Sequence, residues 1–291
     1  MELGSSFRRR DKASRDDASS DKGKPENKAG GAAATNLFRI AEKRYRLYKV
    51  NDTASPPSSA PRKKDDAQQV WRIPEVEGLY IIKNALSLQE QLFWAKRAIK
   101  EFSNCAHTNL SNLHGTQPDH WANAVECNDV GKDSEFYKLR WASLGYHYDW
   151  TQRLYHKYQH QNEKSDFPEN LASMADALAR RVGLKVKSEA AIVNFYPYDG
   201  SMGGGKSKDV EPTAIFVNSG DAVIMGGHSR LCFHGVPRIL EGSCEELARF
   251  LHDSPSKEEK LIGKYLTRSR INMNVRQVTQ LAKQTGIRGI C

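Results

Sequence analysis

No C-x-x-C pair occurs among the five cysteines of this 291-residue chain (Cys105, Cys127, Cys232, Cys244, Cys291). An odd, unpaired set argues against a disulfide scaffold or a zinc knuckle and suits a reducing compartment. Nor is there an apolar run near the roughly eighteen residues of a membrane-spanning helix, or an apolar signal core at the N-terminus. The sequence therefore predicts a soluble intracellular protein with no membrane partner, in the nucleus or the cytoplasm, the mitochondrion remaining open. Acid is the scarcer charge: 35 Asp and Glu stand against 44 Lys and Arg, a net charge of +9 with a pI near 9.2. That excess favours a polyanionic partner. Residues 1–70 carry 16 Lys and Arg against 10 Asp and Glu, so +6 of the charge sits in this arm and the remainder of the chain is only slightly basic.

The arm also lacks apolar residues to bury. Residues 1–35 read as disordered, with Arg8-Arg9-Arg10 near the start. Residues 36–50 read as a short basic helix with aromatic anchors. Residues 51–70, with Pro56-Pro57, Pro61 and Arg62-Lys63-Lys64, read as a linker. A folded domain is expected over 71–283, followed by a tail at 284–291.

Within that domain Leu79-Tyr80-Ile81-Ile82 reads as a first strand. Ser87-Leu88-Gln89-Glu90 is a capping box, because the serine and the glutamate three residues on can each satisfy a backbone N–H at a helix start. It opens a helix to about Phe102, with Leu88, Leu92, Ala95, Ile99 and Phe102 on one stripe. A second amphipathic helix starts near Pro168, turns Leu171, Met174, Leu178 and Val182 inward and ends at Gly183. Between them, Leu139 to Thr151 is dense in aromatics with interspersed cations, a mixture found both in cores and on base-stacking surfaces. Ala190 to Tyr196 reads as a strand that puts Asn194 and Tyr196 on one face. A turn at Ser219-Gly220-Asp221 leads to a strand at Ala222–Met225, and a further turn follows at Gly226-Gly227.

The most informative stretch is Arg268 to Val278. From Arg270 to Arg276 it alternates strictly, with Arg270, Asn272, Asn274 and Arg276 on one side and Ile271, Met273 and Val275 on the other. Period two is a strand. Its apolar face can pack on a core. Its polar face is either solvated or set to meet carboxylate oxygens, which guanidinium and amide groups bind well.

This R-x-N-x-x-x-R string resembles the 2-oxoglutarate-binding signature of the AlkB-type Fe(II) dioxygenases. With Lys264-Tyr265-Leu266 before it and Arg276-Gln277-Val278 at its end, it is most similar to the first-homologue group of that family. Leu139-Arg140-Trp141 through Gly145-Tyr146-His147-Tyr148 and Trp150 resembles the segment preceding that group's substrate lid. Asn194-x-Tyr196 resembles its cosubstrate strand, and Ser229-Arg230 through His234-Gly235-Val236-Pro237-Arg238 resembles the segment of its distal iron ligand. The resemblance covers about residues 71–281. It implies an α+β fold, a double-stranded β-helix or jelly-roll with flanking helices. It also implies Fe(II) and 2-oxoglutarate, with ascorbate as reductant, and oxidative demethylation of N-methylated bases, chiefly adenine in DNA or tRNA, the methyl leaving as formaldehyde. His234 would ligate iron. Arg270 would pair with the far carboxylate of 2-oxoglutarate, assisted by Tyr196, with Asn194, Asn272 and Arg276 completing the pocket. Trp141, Tyr146 and Trp150 would belong to the substrate lid. Asn274 stands where the family usually has Thr.

One departure is large. The family follows N-x-Y with H-x-D, whose imidazole and carboxylate complete a facial triad with the distal His. Here Tyr196-Pro197-Tyr198-Asp199 runs through Gly203-Gly204-Gly205 into Lys206 to Thr213, a string resembling family sequence well beyond the H-x-D. A block of about forty residues looks skipped near 204–206, an estimate from the spacing of the family's ligating histidines. The resemblance then predicts a jelly-roll lacking central strands and a chain of doubtful turnover. The alternative is a catalytically inactive nucleic-acid-binding form using the basic arm and the aromatics. The other H-x-D, His147-Tyr148-Asp149, precedes the N-x-Y strand and is expected to be no ligand set. Oligomeric state is left open.

Overall fold

A computed structural model describes residues 63–65, 70–74, 76–111, 119–149, 154–156, 167–197, 214–232, 234–236, 239 and 244–278. Residues 1–35, read from the sequence as disordered, the basic segment 36–50, the glycine junction near 204–206 and the tail lie outside these residues.

The strands are β1 (Lys63–Asp65), β2 (Val70–Arg72), β3 (Leu79–Ile82), β4 (His107–Thr108), β5 (Trp141–Gly145), β6 (His147–Asp149), β7 (Leu154–His156), β8 (Ala190–Pro197), β9 (Ala222–Met225) and β10 (Ser269–Arg276). The helices are α1 (Leu88–Lys100), α2 (His120–Glu126), α3 (Glu169–Arg180), α4 (Glu245–His252) and α5 (Lys257–Leu266). All strand pairings are antiparallel. One sheet runs β1-β2-β3-β9, a second β10-β8-β5-β4, and β6 and β7 form a hairpin. Among the described residues β9 and β10 each have a single neighbour. The first sheet begins inside the segment read as a linker, since Lys63–Asp65 pairs with β2.

The capping box closes as expected: the Ser87 side chain accepts from the Glu90 N–H while the Glu90 carboxylate accepts from the Ser87 N–H at 2.8 Å. α3 ends at Arg180, three residues before the left-handed Gly183 (φ +77°) expected to stop it, and Ala179, not Leu178, is the residue it buries beside Leu171. The aromatic stretch after Leu139 is largely sheet, with β5 central in the second sheet. Its Ala142 and Leu144 enter the core with Ala191, Val193 and Phe195 of β8, under α1, α4 and α5. Ile271, Met273 and Val275 of β10 pack on the same core, so its alternation separates the faces as read. β5 ends at Gly145 (φ +71°), where an added Cβ would stand 2.2 Å from the Glu189 carbonyl oxygen. Only glycine fits both that conformation and that approach.

α5 is fastened to its neighbours by Glu258, which accepts from Trp121 Nε1 at 2.8 Å and from Lys100 Nζ at 2.9 Å. Partial burial raises the Glu258 carboxyl, yet these bonds together hold it below the ordinary carboxylate range. A depressed folded-state value contributes stability above the unfolded value and loses it as pH falls through the folded one. Stability is therefore expected to decline on acidification below about pH 4. Glu258→Gln, which keeps an acceptor for Trp121, should be less stable at pH 7 and lose less on acidification. Urea midpoints at pH 7 and pH 3 check this, and parallel losses in both proteins would refute it.

Candidate cosubstrate site

The register of β8 and β10 sets the site. Arg270 stands opposite Tyr196, Asn272 opposite Asn194 and Arg276 opposite Ala190. Cross-strand partners share a face, so the residues predicted from two distant strings meet on one surface. Asn194 Nδ2 donates to Asn272 Oδ1 at 3.3 Å. Asn194 and Arg276 are buried, at 3% and 8% exposure, despite their polarity. A buried guanidinium and amide on one face form a concentration of donors that an oxygen-rich anion can satisfy.

Arg270 Nη1 donates to the Val217 carbonyl at 2.8 Å and Nη2 to that of Asn218 at 3.4 Å. The 214–218 segment thus touches both sheets, because Ile215 packs on the Ile73, Leu79 and Ile81 cluster of the first. Asp221 fixes this segment by accepting from Asn218 N at 2.8 Å, Asn84 N at 3.0 Å and the Lys83 ammonium. Burial pulls the Arg270 guanidinium below its ordinary value, an effect opposed by Asp221, Cys244 and Tyr196. Burial pushes the Tyr196 phenol up to about 12, against the pull of Arg270. At neutral pH the pair is thus a cation beside an intact hydroxyl donor, both suited to a carboxylate.

At the other end of β10, Arg276 Nη1 donates to the Tyr155 hydroxyl at 2.7 Å. His234 lies near, half-buried. Burial lowers its imidazole from the ordinary range, against a hydrogen bond to the Cys232 backbone and with the Arg276 charge adding to it, which favours the neutral form that ligates metal. Among the described residues no group of three His, Cys, Asp or Glu could hold a metal ion. By themselves these residues do not fit an iron ion, since one imidazole cannot fix its coordination geometry. They fit a dicarboxylate well. Residues 198–213 hold Asp199, Asp209 and Glu211 and no histidine, and lie outside the described residues.

The second H-x-D is part of the β6–β7 hairpin. His147 stacks on His107 with ring centroids 4.0 Å apart, and Tyr148 is buried edge-on to Tyr155. Trp141 pairs in register with Asn194 and so shares the polar face. Tyr146 lies beyond the far end of β5, where its N–H donates to Glu189 O at 3.2 Å, so the two are not brought together. Trp150 is outside the described residues.

Sequence reasoning missed Arg230, Tyr155 and Asp221 as members of this neighbourhood. Arg230 Nη2 donates to the Gln277 carbonyl at 3.3 Å, and the Ser229-Arg230 dipeptide was a usable signal. Asp221 was visible only as part of a turn. No local pattern marks Tyr155.

The sequence profile described as "2OG-Fe(II) oxygenase superfamily" matches residues 202–276, which include His234 and all of β10. Three relatives extend the likeness. "DNA N(6)-methyladenine demethylase ALKBH1A" of Arabidopsis thaliana is 28% identical over 84% of this chain and 97% of its own length. "tRNA demethylase abh1" of Schizosaccharomyces pombe is 29% identical over 86% and 98%. "N6-methyladenosine RNA demethylase ALKBH" of Cryphonectria parasitica is 30% identical over 48% and 76%. The class is thus an oxygenase with Fe(II) as cofactor and 2-oxoglutarate as cosubstrate, its fold the α+β double-stranded β-helix. Within that class, the chain belongs to the AlkB-like family, in its first-homologue group.

The alignments also bear on the departure from the family pattern. That with the Arabidopsis protein runs over 334 residues, longer than this whole chain of 291. That with the Cryphonectria protein runs over 185 residues, while 48% of 291 is about 140, leaving about 45 positions with no counterpart here. The relatives carry tens of residues that this chain lacks, consistent with a skipped block.

Proposed function

We propose that this chain acts as an Fe(II)- and 2-oxoglutarate-dependent dioxygenase that removes N-methyl groups, chiefly from adenine, in DNA or tRNA, in the nucleus or cytoplasm. The observation that carries it is the β8–β10 register, which sets Arg270 against Tyr196 and Asn272 against Asn194 on one face. In this reading Arg270 and Tyr196 hold the far carboxylate of 2-oxoglutarate, with Asn194, Asn272 and Arg276 lining the rest. His234 is the iron ligand on this chain's described part, and Trp141 lies beside the path of the base. Iron with the cosubstrate supplies the oxidation of the methyl group. The names of the relatives, all demethylases, weigh against a catalytically inactive binding form.

The test is succinate and formaldehyde release from 2-oxoglutarate and an N-methyladenine oligonucleotide, with Fe(II) and ascorbate. Turnover is expected where residues beyond those described complete the iron site, and His234→Ala should then reduce it by more than about a hundredfold, since disturbing a group that merely orients a metal ligand already costs ~10–100-fold. A folded protein that binds 2-oxoglutarate yet releases neither product would overturn the enzymatic part of the reading. Turnover unaffected by His234→Ala would remove His234 from it.

A further inference from the structure

The 3-10 turn Gly227–Leu231 is held by its middle residue. Ser229 is fully buried: its hydroxyl, with one proton to donate, lies 2.9 Å from Gly78 O and 2.8 Å from Gly226 O, and its N–H donates to Glu77 O at 3.1 Å. The turn is thereby tied to the start of β3, and the next residue, Arg230, is delivered to the far end of β10. There its Nη2 meets the carbonyl of Gln277, the neighbour of Arg276. Two guanidiniums, one from this turn and one from β10, therefore meet at one end of β10, beside His234 and the Tyr155 hydroxyl that holds Arg276.

Like charges brought together in a half-buried setting repel, because water screens them poorly there. Arg230 carries that cost: burial and then the Arg276 charge lower its guanidinium from the ordinary value, with Tyr155 in partial opposition. An anion between the two would reverse the sign of the interaction. A carboxylate, with two oxygens in a plane, matches a pair of planar forks. Arg270 and Tyr196 occupy the opposite end of β10, six residues or roughly 20 Å away along the strand. A diacid as short as 2-oxoglutarate meets both ends only where the long Arg270 and Arg276 side chains fold toward each other over the shared face.

We infer that Arg230 is a cosubstrate-binding residue, forming with Arg276 a two-guanidinium subsite for the carboxylate of 2-oxoglutarate nearer His234. This rests on the reading of the chain as a 2-oxoglutarate-dependent protein. Phosphate of a nucleic-acid strand shares the anionic chemistry, and the test separates the two.

The experiment is isothermal titration of the full chain in EDTA with 2-oxoglutarate, and separately with a single-stranded oligonucleotide. It compares wild type, Arg230→Met, Arg230→Lys and Arg270→Ala. Arg230→Met should weaken 2-oxoglutarate about tenfold, the worth of one charged hydrogen bond, and leave the oligonucleotide within twofold. Arg230→Lys should recover most of the affinity. Should Arg230→Met fail to fold by circular dichroism, Arg230→Gln, whose amide can still donate to Gln277 O, takes its place. Wild-type affinity in the Arg230 variants alongside loss in Arg270→Ala would overturn this inference and leave the underlying reading standing. No 2-oxoglutarate binding by the wild type would overturn both. A selective loss of oligonucleotide binding in Arg230→Met would assign the subsite to phosphate and also overturn it.

Discussion

Arg270→Ala is expected to lower 2-oxoglutarate affinity by about a hundredfold. The side chain offers a planar fork of donors on the face shared with Tyr196, and hydrogen bonds to a charged partner contribute about 1.5–3 kcal/mol each. Loss of the fork removes the charge and both donors, and about 2.7 kcal/mol corresponds to a factor of a hundred. Arg270→Lys restores the charge without the fork and should recover about a tenfold portion of the loss. Some destabilisation is expected too, because Val217 O and Asn218 O lose their donor. Affinity and the thermal midpoint should therefore be read on the same samples. If Arg270→Ala, still folded, binds 2-oxoglutarate as the wild type does, the carboxylate is not held at this end of β10.

Phe195→Ala should cost about 3–5 kcal/mol of stability. Phe195 lies on the other face of β8 from Asn194 and Tyr196, opposite Ile271 and only 1% exposed. Truncation leaves a cavity under the strand that carries half of the site, in a core too densely packed to close over it. Phe93, at 48% exposure on α1, is the control, and Phe93→Ala should cost under about 1 kcal/mol. Urea denaturation followed by circular dichroism gives both figures. Equal shifts for the two variants would mean that Phe195 does not anchor β8. Phe195→Leu should recover much of the loss, with cosubstrate binding returning in step with stability.

What was legible in the sequence follows from the range of each interaction. The alternation of β10 showed its two faces because one packs on apolar side chains and the other carries donors, a purely local contrast. The α1 start was legible because a capping box is complete within four residues. α2 was missed: seven residues long, it is specified by the Asp119 cap and by burial of His120 and Trp121 against distant elements. The start of α5 had a readable signal in Ser256, whose side chain accepts from the Glu259 N–H, the same S-x-x-E spacing as at α1. β5, Trp-Ala-Ser-Leu-Gly, was hidden inside a longer aromatic-rich stretch that suggests stacking as readily as a strand. For the site, the face shared by Asn194 and Tyr196 was local, whereas the pairing of β8 with β10 is a tertiary choice that periodicity does not carry. Arg230 and Tyr155 reach Gln277 and Arg276 across 47 and 121 residues of chain, too far for spacing to predict.

The β8–β10 pairing also fixes how the chain tolerates changes in length. The two strands are neighbours in space, yet residues 198–268 lie between them in sequence. The entropy of closing so long a loop rises only with the logarithm of its length. Extending a connection of about seventy residues by a further forty would cost about 0.4 kcal/mol. A shorter and a longer form of this chain can therefore draw the same two strands together at nearly equal expense, and the donor face survives as a unit where the added residues leave β9, α4 and α5 in place.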